Sequence, residues 1–227
     1  MTLSRIGGFA ALTCAATYLF GFAVLVTVLA PLGFGTAQID IPAVVAFIHE
    51  SPGLIIVWNT TIYIVNALAL VVLVVALAAR LRPASEAWAN VTQALGLIWA
   101  TLVLAAGMTA NVATERVLVT FASDPDGATE LWAMLHSVEL GLGGGNEIAG
   151  AAWILSVSVA GGAHRRLSRP VTSVGLAAGA GGFATLVPAL GDTAGAVFGL
   201  GAILWFILIG IEMARTPDRN GTPSQIA

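Results

Sequence analysis

Residues 54–79 read LIIVWNTTIYIVNALALVVLVVALAA, a stretch without a charge that ends at Arg80 and Arg82. About 20 apolar residues suffice for a helix to cross ~30 Å of hydrocarbon. The segment therefore predicts a transmembrane helix, with Asn59 near one interface and Asn66 close to mid-membrane. The same reading finds five further spans: 8–30, stopped by Pro31; 91–113; 142–162; 171–190, opening after Pro170; and 194–213.

Composition agrees with that map. Of 227 residues 58% are hydrophobic and only 9% charged, whereas a soluble domain carries about 25% charged residues. There is too little charge to coat a globule in water, so lipid is the expected solvent of the outer surface. The nine basic residues are all arginine and the net charge is −3, which offers no basic patch for nucleic acid. Cys14 is the only cysteine; it excludes an intramolecular disulfide or a thiolate cluster and reads as a small hydrophobe.

The arginines orient the spans. With a cytoplasmic N-terminus, Arg5, Arg80, Arg82, Arg165, Arg166, Arg169, Arg215 and Arg219 fall inside, and only Arg116 falls outside. The first apolar run is longer than a signal-peptide core and reads as a retained span. The expectation is an all-α polytopic protein of a bacterial-type inner (plasma) membrane. It is a bundle of six transmembrane helices, both termini cytoplasmic, with residues 1–213 forming the membrane domain and 214–227 a flexible tail.

Two outer loops carry helical patterning. IPAVVAFIHES (41–51) is too short to span and is expected along the outer surface, opened by Pro42. ATELWAMLHSVEL (128–140) is expected to feed the fourth span, bent or broken by Gly141, Gly143, Gly144 and Gly145. Glycine or alanine at four-residue spacing (Gly175 with Gly179, Ala178 with Gly182, Gly195 with Gly199) predicts close helix approach, inside the bundle or at a homodimer seam. Pro188 is expected to kink or end the fifth span. Trp58, Trp88 and Trp132 fit an aromatic belt, and Trp99, Trp153 and Trp205 lie deeper, as packing or as a ligand wall.

GLGGGNEIAG (141–150) sets a carboxylate behind three glycines. At 1.5 Å per residue, Glu147 falls ~22 Å from Gly162, inside the outer half of the hydrocarbon. Asn59, Asn111, Glu115, Arg116, His136, Glu139, Asn146 and Glu147 lean toward the same leaflet, and His136 and Glu139 lie one turn apart on one face. Such groups are costly in lipid and should face the bundle interior. They form either an interhelical hydrogen-bond network or an outward-opening pocket for a cation, proton or small polar solute.

Other chemistry is thinly supported. His49, His136 and His164 are too few for a multi-histidine di-iron site. Zinc on His49, Glu50, His136 and Glu139 satisfies ligand type, but no spacing enforces it, and a haem pair of His49 and His136 is weaker. Serine catalysis and phosphate-loop motifs lack support. Neither a metal nor another cofactor is therefore expected, and no catalytic residue is assigned. The expected partners are membrane lipids, with a homodimer or larger membrane complex left open and nucleic acid excluded.

NVATERV after the third span, GGGNEIAGAAWIL entering the fourth, and VPALGDTAGAVFGLGAILWFILIGI together resemble uncharacterised bacterial six-span membrane proteins of the DUF4386 type. The resemblance covers most of the chain and implies a six-helix membrane protein, with no activity, ligand or catalytic residue to carry over. The expected function is non-catalytic, as a structural, accessory or sensory component; the alternative is a small transporter or channel using the outer-leaflet carboxylates.

Overall fold

A computed structural model describes residues 1–34, 39–144 and 148–215. Asn146 and Glu147 lie outside the described residues, and so does the tail from 216 onward. Every regular element among the described residues is helical. Helix α1 (Leu3–Val24) runs on through a π turn, Leu25–Leu29, and a short 3-10 turn, Ala30–Leu32. The short helices α2 (Ile41–Glu50) and α3 (Pro52–Asn59) follow. A second π turn, Thr60–Val65, leads into α4 (Asn66–Leu81). Helix α5 is Glu86–Phe121 and α6 is Pro125–Glu139, closed by a third π turn, Leu140–Gly144. The remaining helices are α7 (Ile148–Ala163), α8 (Arg169–Ala184) and α9 (Gly191–Arg215).

The starts of these helices follow from side-chain caps. Thr2, Asp40, Ser85 and Asp124 each accept a hydrogen bond from the backbone N–H three residues on. Proline stands in the first turn of α2, α3, α6 and α8, where its missing N–H costs nothing.

Four helical stretches are long and apolar enough to cross a bilayer: Leu3–Leu32, Pro52–Leu81, Glu86–Phe121 and Thr193–Arg215. Helices α7 and α8, where the fourth and fifth spans are expected, have 16 residues each, about 24 Å at 1.5 Å per residue. The expected fifth span stops at Ala184 rather than 190, and Pro188 opens a separate 3-10 turn, Pro188–Leu190. Helix α5 overruns its expected span by two turns, to Phe121. Large apolar side chains such as Phe9, Phe22, Leu68, Ile98, Met108 and Leu204 are exposed on the helices, a surface consistent with lipid contact.

One end of the bundle is tied by charge. Arg80 meets Glu212 at 2.6 Å, and its Nε donates to the carbonyl of Arg166 at 2.9 Å. The Ser168 N–H donates to the other Glu212 oxygen, and the Ser4 hydroxyl donates to the carbonyl of Met213. The N-terminus, the 80s loop, the 160s loop and the end of α9 therefore share one end, called here the arginine end. Nearer the middle, Asn66 donates to the Cys14 carbonyl and to the Thr17 hydroxyl, clipping α4 to α1. A main core surrounds Trp99, Trp153, Trp205 and Phe206. A second cluster at the opposite end joins Val44, Val45 and Ile48 of α2 to Leu29, Trp58, Val117 and Trp132, so α2 packs down onto the helix ends.

The glycines divide into two groups. A Cβ on Gly8 would stand 2.7 Å from the Ala214 nitrogen and 2.8 Å from the Gly210 oxygen, so α1 and α9 touch backbone to backbone. Gly175, Gly179 and Gly182 of α8 likewise meet α7 or α9 of the same chain, within the bundle. Gly195 and Gly199 make no close helix contact within the described chain: a Cβ on either would meet no described atom within 4 Å. The belt expectation fails for two of its three members. Trp58 and Trp132 are only 8% and 5% exposed, drawn in by the cluster under α2, while Trp88 stays 38% exposed.

Gly8→Leu forces side-chain atoms into backbone that cannot yield, so it should lower thermal stability by about 1–3 kcal/mol or more. The check is the unfolding midpoint in mild detergent.

Candidate functional site

The half of the bundle away from the arginine end encloses a cavity of about 710 Å³, within the size range of small-molecule sites. Its walls come from the ends of α1 and α5, the α3 segment, α6 and the first turns of α9. Trp58, Trp99, Trp132, Phe34 and Phe198 make much of it aromatic. Phe34 sets its edge against Trp58, Trp132 and His136.

All three π turns contribute lining residues: Leu25 from the first, Ile62 and Tyr63 from the second, Leu140 and Gly143 from the third. A π turn adds a residue to the helical repeat and pushes side chains off the normal face, and such turns frequently occur at functional sites. Here the widened turn at Thr60–Val65 is received by glycines. A Cβ on Gly21 would collide with Ile62, and one on Gly107 with Tyr63. The indole N–H of Trp58 donates to the Gly21 carbonyl at 3.2 Å, and the Asn111 amide donates to the Thr60 hydroxyl at 3.0 Å. At the third turn Gly143 has φ 136°, a backbone that side-chain-bearing residues rarely adopt, and the helix breaks there.

The polar wall centres on Glu139, which is 7% exposed. The Tyr63 hydroxyl donates to its Oε1 at 2.5 Å, and His136 Nδ1 lies 2.7 Å from its Oε2. An ionised carboxylate only accepts, so with Glu139 charged the Nδ1 of His136 carries the hydrogen. The His136 ring is fixed from its other side by stacking on Trp132, centroids 4.4 Å apart. Each carboxylate oxygen thus has a protein donor, as a buried carboxylate requires. Asn59 is different. It lines the same cavity at 4% exposure, and no described residue hydrogen-bonds its amide.

Of the residues the sequence singles out, the structure brings Asn59, His136 and Glu139 together around this cavity. Asn111 stands behind it, holding the π turn. Glu115 and Arg116 are exposed on the projecting turns of α5 and do not line it. Asn146 and Glu147 fall outside the described residues. His49 packs on Phe121, centroids 4.6 Å apart, away from His136. No three His, Cys, Asp or Glu side chains among the described residues gather into a metal-sized cluster.

Sequence reasoning overlooks Tyr63, and it names Gly195 and Gly199 as a packing pair without Gly191 and without a place on the chamber. Tyr63 is one of only two tyrosines and sits in the middle of a span, which is a usable signal. The glycine spacing is visible too, but whether it faces a neighbour or a void is not.

Tyr63→Phe removes one donor from the carboxylate and should cost about 1.5–3 kcal/mol, the range for bonds to charged groups. A double-mutant cycle with Glu139→Gln should show a coupling above about 0.5 kcal/mol in detergent unfolding. Additive losses would mean the bond contributes nothing. No family model matches this chain, and neither a curated protein nor a solved structure matches it.

Proposed function

We propose that the protein is a non-catalytic, six-span component of a bacterial-type plasma membrane, both termini cytoplasmic, whose chamber binds a small amphipathic molecule. The observation that carries this reading is the make-up of the cavity. A largely apolar, aromatic-walled space of about 710 Å³ has a few polar groups in its lining, Glu139, His136 and Asn59 among them. That is the usual pattern of a small-molecule site, where apolar walls supply affinity and a few polar groups fix orientation. Lipid-facing helices place such a chamber where amphiphiles concentrate, which suits a sensory or accessory role.

A transporter or channel for a polar solute needs a path toward the arginine end. In that direction Trp99, Trp153, Trp205 and Phe206 pack ring to ring, with neighbouring centroids 5.4–6.2 Å apart. Trp153, Trp205 and Phe206 have no exposed surface at all. The packing favours a blind chamber over a conduit.

The orientation rests on the arginines, since the contacts among Arg80, Arg166 and Glu212 put the basic loops together at one end. Reporter tags at residues 1 and 227 should both be protected from external protease in intact cells; cleavage of either overturns the orientation.

Binding is tested with bromododecanol, whose bromine quenches nearby tryptophans. Three of the six, Trp58, Trp99 and Trp132, line the chamber. Gly195→Leu with Gly199→Leu extends into space where a Cβ meets no described atom within 4 Å, so unfolding should change little. Quenching should fall to the level that surface Trp88 gives alone. Undiminished quenching in the filled variant sinks the binding reading.

A further inference from the structure

From the chamber's polar groups we infer that its ligand carries an uncharged hydrogen-bonding head, a hydroxyl, carbonyl or amide, and that Asn59 reads it. The inference rests on the chamber being a binding site and adds the chemistry of the ligand's polar end.

Among the polar groups of the lining, Glu139 and Asn59 decide the choice of head. Glu139 is already engaged by its own chain: Tyr63 donates to one oxygen and His136 lies against the other, with that imidazole held flat on Trp132. Each oxygen already accepts one hydrogen bond, so a cationic head finds this carboxylate partly satisfied by its own chain. Asn59 has no such engagement. It is more than nine-tenths buried, lines the void, and has no hydrogen-bond partner among the described residues. Its amide offers two N–H donors and one carbonyl acceptor, and no charge. That set complements a group which both gives and takes hydrogen bonds, and it leaves an isolated charge uncompensated in an apolar space.

Backbone geometry supports the placement. Asn59 is the last residue of α3, directly before the π turn that delivers Tyr63 to Glu139. One segment thus carries both Asn59 and the tyrosine that engages Glu139, and all three line the chamber. Gly191, Gly195 and Gly199 line it too, and a Cβ on any of them meets no described atom within 4 Å, which leaves room for an apolar body.

The test compares three probes of equal chain length by tryptophan quenching on the full-length protein in detergent: bromododecanol, bromododecanamide and bromododecyltrimethylammonium. The alcohol and the amide should bind more tightly than the ammonium. Asn59→Leu should weaken both neutral probes about three- to tenfold, the value of one net hydrogen bond, and leave the ammonium unchanged. The same variant should melt close to the wild-type temperature, because the amide faces the void and holds no other described residue in place. A purely structural role for Asn59 would lower that temperature.

Preference for the ammonium, abolished by Glu139→Gln and indifferent to Asn59→Leu, overturns the inference in favour of a cation site while leaving the chamber intact. Equal binding of all three probes, unaffected by Asn59→Leu, overturns it as well. Quenching that also ignores the Gly195→Leu, Gly199→Leu variant defeats the underlying binding reading instead. The wild-type ranking decides between heads even where a variant fails to fold.

Discussion

A carboxylate set among apolar helices has to find donors, and in this molecule one donor is local and the other comes from far away along the chain. His136 is three residues before Glu139 on its own helix, whereas Tyr63 arrives from a helix far away in sequence. The Tyr63–Glu139 bond therefore joins the second long helix to the α6 segment across the chamber. It forms because the Thr60–Val65 turn is one residue wider than an α turn, and because Gly21 and Gly107 give that turn room on both flanks. Asn111 and the Trp58 indole then hold the turn in place from either side. The aromatic wall, the fixed imidazole and the free amide of Asn59 all take their positions from this arrangement.

Much of the plan is written plainly in hydropathy. The long apolar runs, the short helix opened by Pro42, the break at the glycines after Leu140 and the grouping of arginines at one end all follow from residue type and spacing. They depend on local rules such as helix rise, capping and the price of polar groups in lipid. The polar bias toward one half is also legible, as is the pairing of His136 with Glu139, because a three-residue interval puts both on one helical face.

What stays hidden is rotation and register. Asn59, Asn111 and Glu115 look equivalent in a string of letters, yet one lines the chamber, one braces its wall and one faces outward. The direction of a side chain around a helix depends on where each π turn inserts its extra residue, and hydropathy does not mark that. Trp58 and Trp132 were assignable to an interfacial belt by depth alone; a roof of α2 buries them instead. Gly195 and Gly199 have the spacing of a packing seam, but no described helix of the same chain comes close to them.

That void beside α9 separates two properties that are usually entangled. In a close-packed interior each added methylene disturbs its neighbours, so reshaping a site endangers the fold. At Gly191, Gly195 and Gly199 a larger residue meets no described atom within 4 Å of its Cβ. Chamber width can therefore be reset at three independent positions, one helical turn apart, with little strain on the scaffold. Selectivity for the size of a guest and persistence of the native state become separately adjustable, as if the helix carried its own set of interchangeable spacers.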